Sequence, residues 1–263
     1  MADHAVSVPL SRDESSPQVR RITVDDVRDA LRRGAQDFSA VPSHAVFLVI
    51  IYPVVGLLLG FTTANVDLMP LFFPLAAGFA LLGPVAAIGL YEMSRRRERG
   101  EEVSAADALS VTRSPAFPAV VELASLLAVL FIAWLIAAMV IFRLTIGTAP
   151  ADGFGGFIRQ VLSTPEGWTL IVVGNAVGFL FALAAFALGA VSFPLLLDRN
   201  VSLRVAIGTS FRAIQANPWP MAVWGLCIAV LMVLGSLPFF IGLAVVLPVL
   251  GHATWHMYRA LVV

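Results

Sequence analysis

LASLLAVLFIAWLIAAMVIF, Leu123 to Phe142, is twenty residues without one charge, closed by Glu122 on one side and Arg143 on the other. A helix rises about 1.5 Å per residue, so such a run covers about 30 Å, the hydrocarbon thickness of a bilayer. No water is available there to satisfy a backbone, so an apolar run of this length spans as a helix. Working outward, Ala45 to Val66, Leu68 to Tyr91 and Gly167 to Leu197 pass the same test. Ala213 to Tyr258 contains no Asp, Glu or Arg, and Gly235, Ser236 and Pro238 mark a turn in its middle. The sequence therefore reads as all-α, a polytopic transmembrane helical bundle of six spans with short interfacial amphipathic helices. The spans fall near 45–64, 69–91, 120–142, 168–193, 219–235 and 238–258. The fifth is the shortest and also fits a tilted or re-entrant segment.

Composition agrees. Of 263 residues, 59% are apolar and 13% charged, with a mean hydropathy of +0.89, outside the range of soluble domains. The seventeen basic residues are all arginine and balance seventeen acids, so bulk charge points to no nucleic-acid partner. A single Cys227 allows neither a disulfide framework nor a redox pair. Met1 to Ser43 is polar with seven acids, unlike a secretory signal. Residues 1–20 read as a disordered cytoplasmic tail and 21–263 as a single membrane domain.

Arginine placement orients the bundle, because short arginine-rich loops resist translocation. Six precede the first span, five lie between spans two and three, three between spans four and five, and Arg259 near the end. Only Arg143 and Arg159 fall on the other side. Fifteen against two predicts both termini in the cytoplasm, and the bacterial inner membrane as the location.

Three cytoplasmic segments carry helix-start signals and an apolar face. Thr23 with Asp26 precedes Val24, Val27 and Leu31; Ser104 with Asp107 precedes Ala108 and Leu109; Ser202 precedes Leu203, Ile207 and Phe211. Phe154, Phe157, Ile158, Val161 and Leu162 repeat the pattern on the outer side. Each is expected to lie along the membrane surface. The stretches 26–31, 104–109 and 202–207 can be superposed, each followed by a proline and a span. This hints at three parallel repeats of surface helix, span, span.

Gly174, Gly178, Ala182, Ala185 and Gly189 form a small-residue stripe on span four, expected at a helix contact within the bundle rather than between copies. Pro53, Pro84, Pro194 and Pro248 are expected to bend their helices. Asn175 is expected to make one interhelical hydrogen bond. The chemistry-bearing residues near the cytoplasmic ends are His44, Glu92, Glu122, His252 and His256. His252 and His256 share a helix face, and all five lie at similar depth. Two imidazoles with carboxylates can bind a divalent metal or relay protons, while the plainer reading is hydrogen bonding between helices. No nucleotide loop, nucleophile elbow or dinucleotide fingerprint occurs, so no catalytic residue and no cofactor is assigned.

The strings 41–44 (VPSH), 83–92 (GPVAAIGLYE), 193–199 (FPLLLDR) and 247–259 (LPVLGHATWHMYR) resemble an uncharacterised family of predicted bacterial integral membrane proteins. The likeness extends from about Arg20 to the end, and some members carry a cytochrome c oxidase subunit label. The resemblance implies no established activity. A catalytic haem-copper subunit needs about six buried histidines, whereas this chain has four in all, with His4 in the polar tail. The sequence thus predicts a non-enzymatic scaffold or accessory subunit of a membrane complex; the alternative is a small transporter or channel with a path past the polar cluster. Expected partners are the lipid bilayer and a membrane protein or a second copy.

Overall fold

The computed structural model describes residues 17–41, 66–78, 83–147, 153–237 and 240–263. The expected first span, with His44 and Pro53, lies outside them. The described elements are α1 (Val24–Ala40), α2 (Phe72–Gly78), α3 (Gly83–Ala86), α4 (Ile88–Glu98), α5 (Phe117–Thr145), α6 (Gly153–Ser163), α7 (Pro165–Gly189), α8 (Ser192–Arg199), α9 (Leu203–Ala216), α10 (Pro218–Ser236) and α11 (Leu243–Leu261). Two 3₁₀ helices, Val66–Leu71 and Ala105–Arg113, complete the described set.

Three stretches are long and apolar enough to cross a membrane: α5, the pair α7 and α8 running from Pro165 to Arg199, and α10. Each turns most of its surface outward. Val129, Ile132, Ile136, Val172, Phe179, Leu180, Leu226 and Val233 are all exposed. Water would penalise that much apolar area, whereas lipid does not. Tryptophan marks the ends, with Trp168 and Trp219 exposed as an interfacial belt requires.

The reading near 69–91 is met by short pieces: the 3₁₀ helix Val66–Leu71, then α2, α3 and α4, broken again at Ala87. Residues 168–193 hold a break that the hydropathy hides. Helix α7 ends at Gly189 and α8 begins at Ser192. Pro194 explains it, since its ring displaces the carbonyl of Ala190 four residues earlier and offers no N–H. The Val191 N–H, freed at the break, reaches Ser210 Oγ of α9 at 3.4 Å.

Small residues set the close contacts. Gly178 of α7 seats the Trp134 ring of α5, and Trp134 Nε1 donates to Pro74 O of α2 at 3.0 Å. Ala185 and Gly189 are buried as well, whereas Gly174 of the same stripe has open space beside it. Asn175 makes no interhelical bond among the described residues: it is exposed, and its Nδ2 donates to Ile171 O of its own helix at 2.7 Å. A local carbonyl one turn back is the cheaper partner for a short amide.

Where the sequence suggests helices lying on the membrane surface, the described contacts are to protein. Thr23 and Asp26 close their capping box, with Thr23 N–H donating to the Asp26 carboxylate at 2.7 Å, but the apolar face of α1 packs on α11. Gly34 is the crossing point, against Ala253 N and Val249 O. Ser104 and Asp107 cap likewise, yet open a 3₁₀ helix packed on α4, with Ala108 against Gly89. Helix α9 packs on α7. The pattern is cyclic. Each capped helix sits on the last described helix or span of the preceding suggested repeat, the first unit sitting on the last.

The N-terminal segment closes that ring. Arg20 N–H donates to Leu261 O at 2.8 Å, Val263 N–H to Gln18 O at 3.1 Å, and Val19 pairs antiparallel with Val262. Asn217, 3% exposed at the start of α10, receives the Ile22 N–H on Oδ1 at 2.8 Å and donates to Arg20 O at 3.0 Å. The domain boundary placed near residue 20 falls inside this paired stretch.

Candidate functional site

Three helices bring polar side chains to one place. Helix α1 contributes Asp37, continuing the stripe Val27, Ala30 and Gly34 that faces α11. Helix α4 contributes Ser94 and Arg97, one turn apart. Helix α11 contributes His252 and His256, four residues apart and so on one face. Asp37 is 7% exposed, Ser94 and His252 1% each.

Their hydrogen bonds dictate the protonation pattern. Asp37 Oδ2 accepts from Ser94 Oγ at 2.6 Å and pairs with His256 Nε2 at 2.8 Å, so His256 carries its proton on Nε2. Arg97 Nη1 reaches Asp37 Oδ1 at 3.1 Å and donates to Gln36 O at 2.8 Å. Ser94 gives its only proton to Asp37. Its contact with His252 Nδ1 at 2.8 Å must then be received, making Nδ1 the protonated nitrogen of His252. His252 Nε2 is buried, with no hydrogen-bond partner of good geometry among the described residues. Burial alone would raise the Asp37 carboxyl, but the bonds from His256 and Ser94, aided by the two imidazoles, outweigh it and hold the group below the usual carboxylate range.

The structure therefore unites two of the five polar residues picked out by sequence, His252 and His256. Glu92 is buried in a different network, paired with Arg95 at 2.7 Å and Arg96 at 2.9 Å; Arg96 continues to Asp107 at 2.7 Å. Glu122 is exposed on the outward face of α5. His44 lies outside the described residues. Among those residues no three His, Cys, Asp or Glu side chains stand close enough to hold a metal ion.

Asp37, Ser94 and Arg97 are the members that sequence reasoning missed. An acid at the fourth position of an otherwise apolar and small stripe was the available signal. The seam extends downward through Glu98, which accepts from Trp255 Nε1 at 3.0 Å and Arg259 Nε at 3.1 Å, and Asp198, which accepts from Tyr258 at 2.6 Å. A depression of about 580 Å³ beside Arg32, Gln36 and Arg97 touches the rim of the cluster, but neither histidine nor Asp37 lines it. Chemically, the arrangement fastens three helices together.

Residues 72–198, just under half the chain, match the model of a family described as predicted integral membrane protein (DUF2189). That description names no activity and no oxidase. No curated protein and no solved structure matches the chain. With three helices fit to cross a membrane and apolar faces turned outward, the chain is an integral membrane protein.

Proposed function

With an integral membrane protein as the premise, we propose a non-catalytic scaffold or accessory component of a bacterial inner-membrane complex, built as six spans with both termini in the cytoplasm. The observation that carries the functional part is the state of the histidines. His256 Nε2 and Ser94 Oγ are spent on joining α1, α4 and α11, and among the described residues neither imidazole lines the depression beside Gln36 and Arg97. Reactive side chains used as fasteners support a structural role.

The topology draws support from the α10 and α11 hairpin. Both the start of α10, at Asn217, and the end of α11, at Leu261, bond to residues 18–22. The start of α10 and the end of α11 thus lie level, which supports reading α11 as a span beside α10. Its lower hydropathy comes from His252, Thr254, His256 and Arg259, all in the half that faces α1 and α4. A reporter fused at Gly100 is expected to report a cytoplasmic location, and one fused after Ile146 a periplasmic one. The reverse outcome would refute the orientation.

Mild-detergent purification of tagged protein tests the role. A stoichiometric membrane-protein partner is expected, with loss of that partner's assembly on deletion of this chain. Isolation without any partner, together with solute flux in proteoliposomes that His256→Ala alters, would instead establish a small transporter. The Nε2 of His252, buried and without a hydrogen-bond partner among the described residues, is the feature that favours this second reading.

A further inference from the structure

A second polar site lies apart from the histidines. A groove of about 470 Å³ is bounded by α4, the 3₁₀ helix Ala105–Arg113 and the end of α8, and four arginines line it: Arg95, Arg96, Arg113 and Arg199. Two carboxylates, Glu92 and Asp198, share the lining, and Asp107 holds Arg96 from outside it at 2.7 Å, which leaves an excess of one positive charge (four minus three). Neither lining acid is idle. Glu92 is divided between Arg95 and Arg96, and Asp198 also accepts from Tyr258 and lies 3.7 Å from Arg259.

Several donors are left over. Arg113 is exposed and takes part in none of the ion pairs among the described residues. Arg95 Nε is buried with no acceptor among the described residues. Arg199 holds Asp198 only at 3.8 Å and otherwise donates to Val263 O. Ser114 Oγ, also in the lining, accepts from Ala116 N and keeps its own proton to give.

Position narrows the ligand. Ser114, Pro115 and Ala116 run straight into α5 at Phe117, and Leu197 to Asn200 close the stretch that began at Pro165. The groove sits where two membrane-crossing stretches end, the depth of headgroup phosphates. Phe117 and Val121, exposed on the first turns of α5, supply apolar surface beside it. Guanidinium forks, a hydroxyl and a net positive charge at that depth suit a phosphate group.

We infer that this groove binds a phosphate group, carried by an anionic lipid headgroup or by a soluble phosphate. Native mass spectrometry of the detergent-purified chain, titrated with phosphatidylglycerol, phosphatidylcholine and inorganic phosphate, separates the two sources. Phosphatidylglycerol is expected to be retained in preference to phosphatidylcholine, roughly fivefold less in Arg113→Gln and roughly thirtyfold less in R113Q/R199Q, at about 1 kcal/mol per arginine near the surface. Arg28→Gln, on the outward face of α1, is expected to change nothing. Displacement of the lipid by millimolar inorganic phosphate would assign the site to a soluble ligand. Equal retention of both lipids with no phosphate binding, or an R113Q protein that binds like wild type, would overturn the inference; among the described residues Arg113 has no ion pair to lose, so its replacement is expected to leave the thermal midpoint unchanged.

Discussion

Gly34→Val is expected to pry α1 away from α11. A Cβ at residue 34 would lie 2.6 Å from Ala253 N and 2.7 Å from Val249 O. Both are backbone atoms of a helix that cannot rotate them aside. Overpacking of a seated core costs about 1–3 kcal/mol, and more when a backbone must shift. The loss should exceed the upper figure, because separating the helices also unseats Asp37, three residues on. Protease susceptibility of α1 in detergent, with the thermal midpoint, measures the effect. Gly174→Val is the paired control, since nothing lies within 4 Å of its Cβ position. Equal behaviour of the two variants would show that the α1 crossing contributes nothing.

Asp37→Ala is expected to be the most damaging single truncation of a polar side chain. It strips the acceptor from Ser94, His256 and Arg97 at once. Breaking a buried charged pair by removing one member costs about 3–5 kcal/mol. The Arg97 side chain is 38% exposed and finds water afterwards, so about 2–4 kcal/mol is the expected loss here. The pH dependence has a definite sign. Because the folded carboxyl is held below its ordinary value, its contribution is complete above the unfolded carboxylate range, near 3.9, and fades as pH falls through the folded value. Thermal unfolding followed between about pH 3 and pH 7 should fall towards acid in the wild type and more shallowly in Asp37→Asn. Parallel curves would remove Asp37 from the account.

The apolar runs were legible because length and absence of charge are local properties. The run near 120–142 became α5, Phe117–Thr145, and the shortest, 219–235, became α10, Pro218–Ser236. Hydropathy was less informative where the chain is part buried and part polar. Helix α11 carries two histidines because it packs against α1 over that stretch, and no local signal announces a partner so far away. Glu122 shows a different failure. The sequence groups it with the histidines, whereas Leu123, its neighbour, is wholly buried while Glu122 points outward. Periodicity in a helix apolar on nearly every side leaves its rotation undetermined. The Asp37 network was half visible, through the i, i+4 histidines, and half hidden, because α1 was read as resting on lipid.

The seam between α1 and α11 also fixes an order of events during biosynthesis. His256 and Asp37 are 219 residues apart in sequence, so α1 leaves the ribosome long before its mate exists. Until α11 is in place, the aspartate and the glycine groove beside it have nothing to pack against on that face. Contacts of such long range are the last to form and the slowest to find. Completion of the bundle is thereby registered along the α1 and α11 seam, and a chain ending before residue 250 would leave the Gly34 and Asp37 face of α1 uncovered.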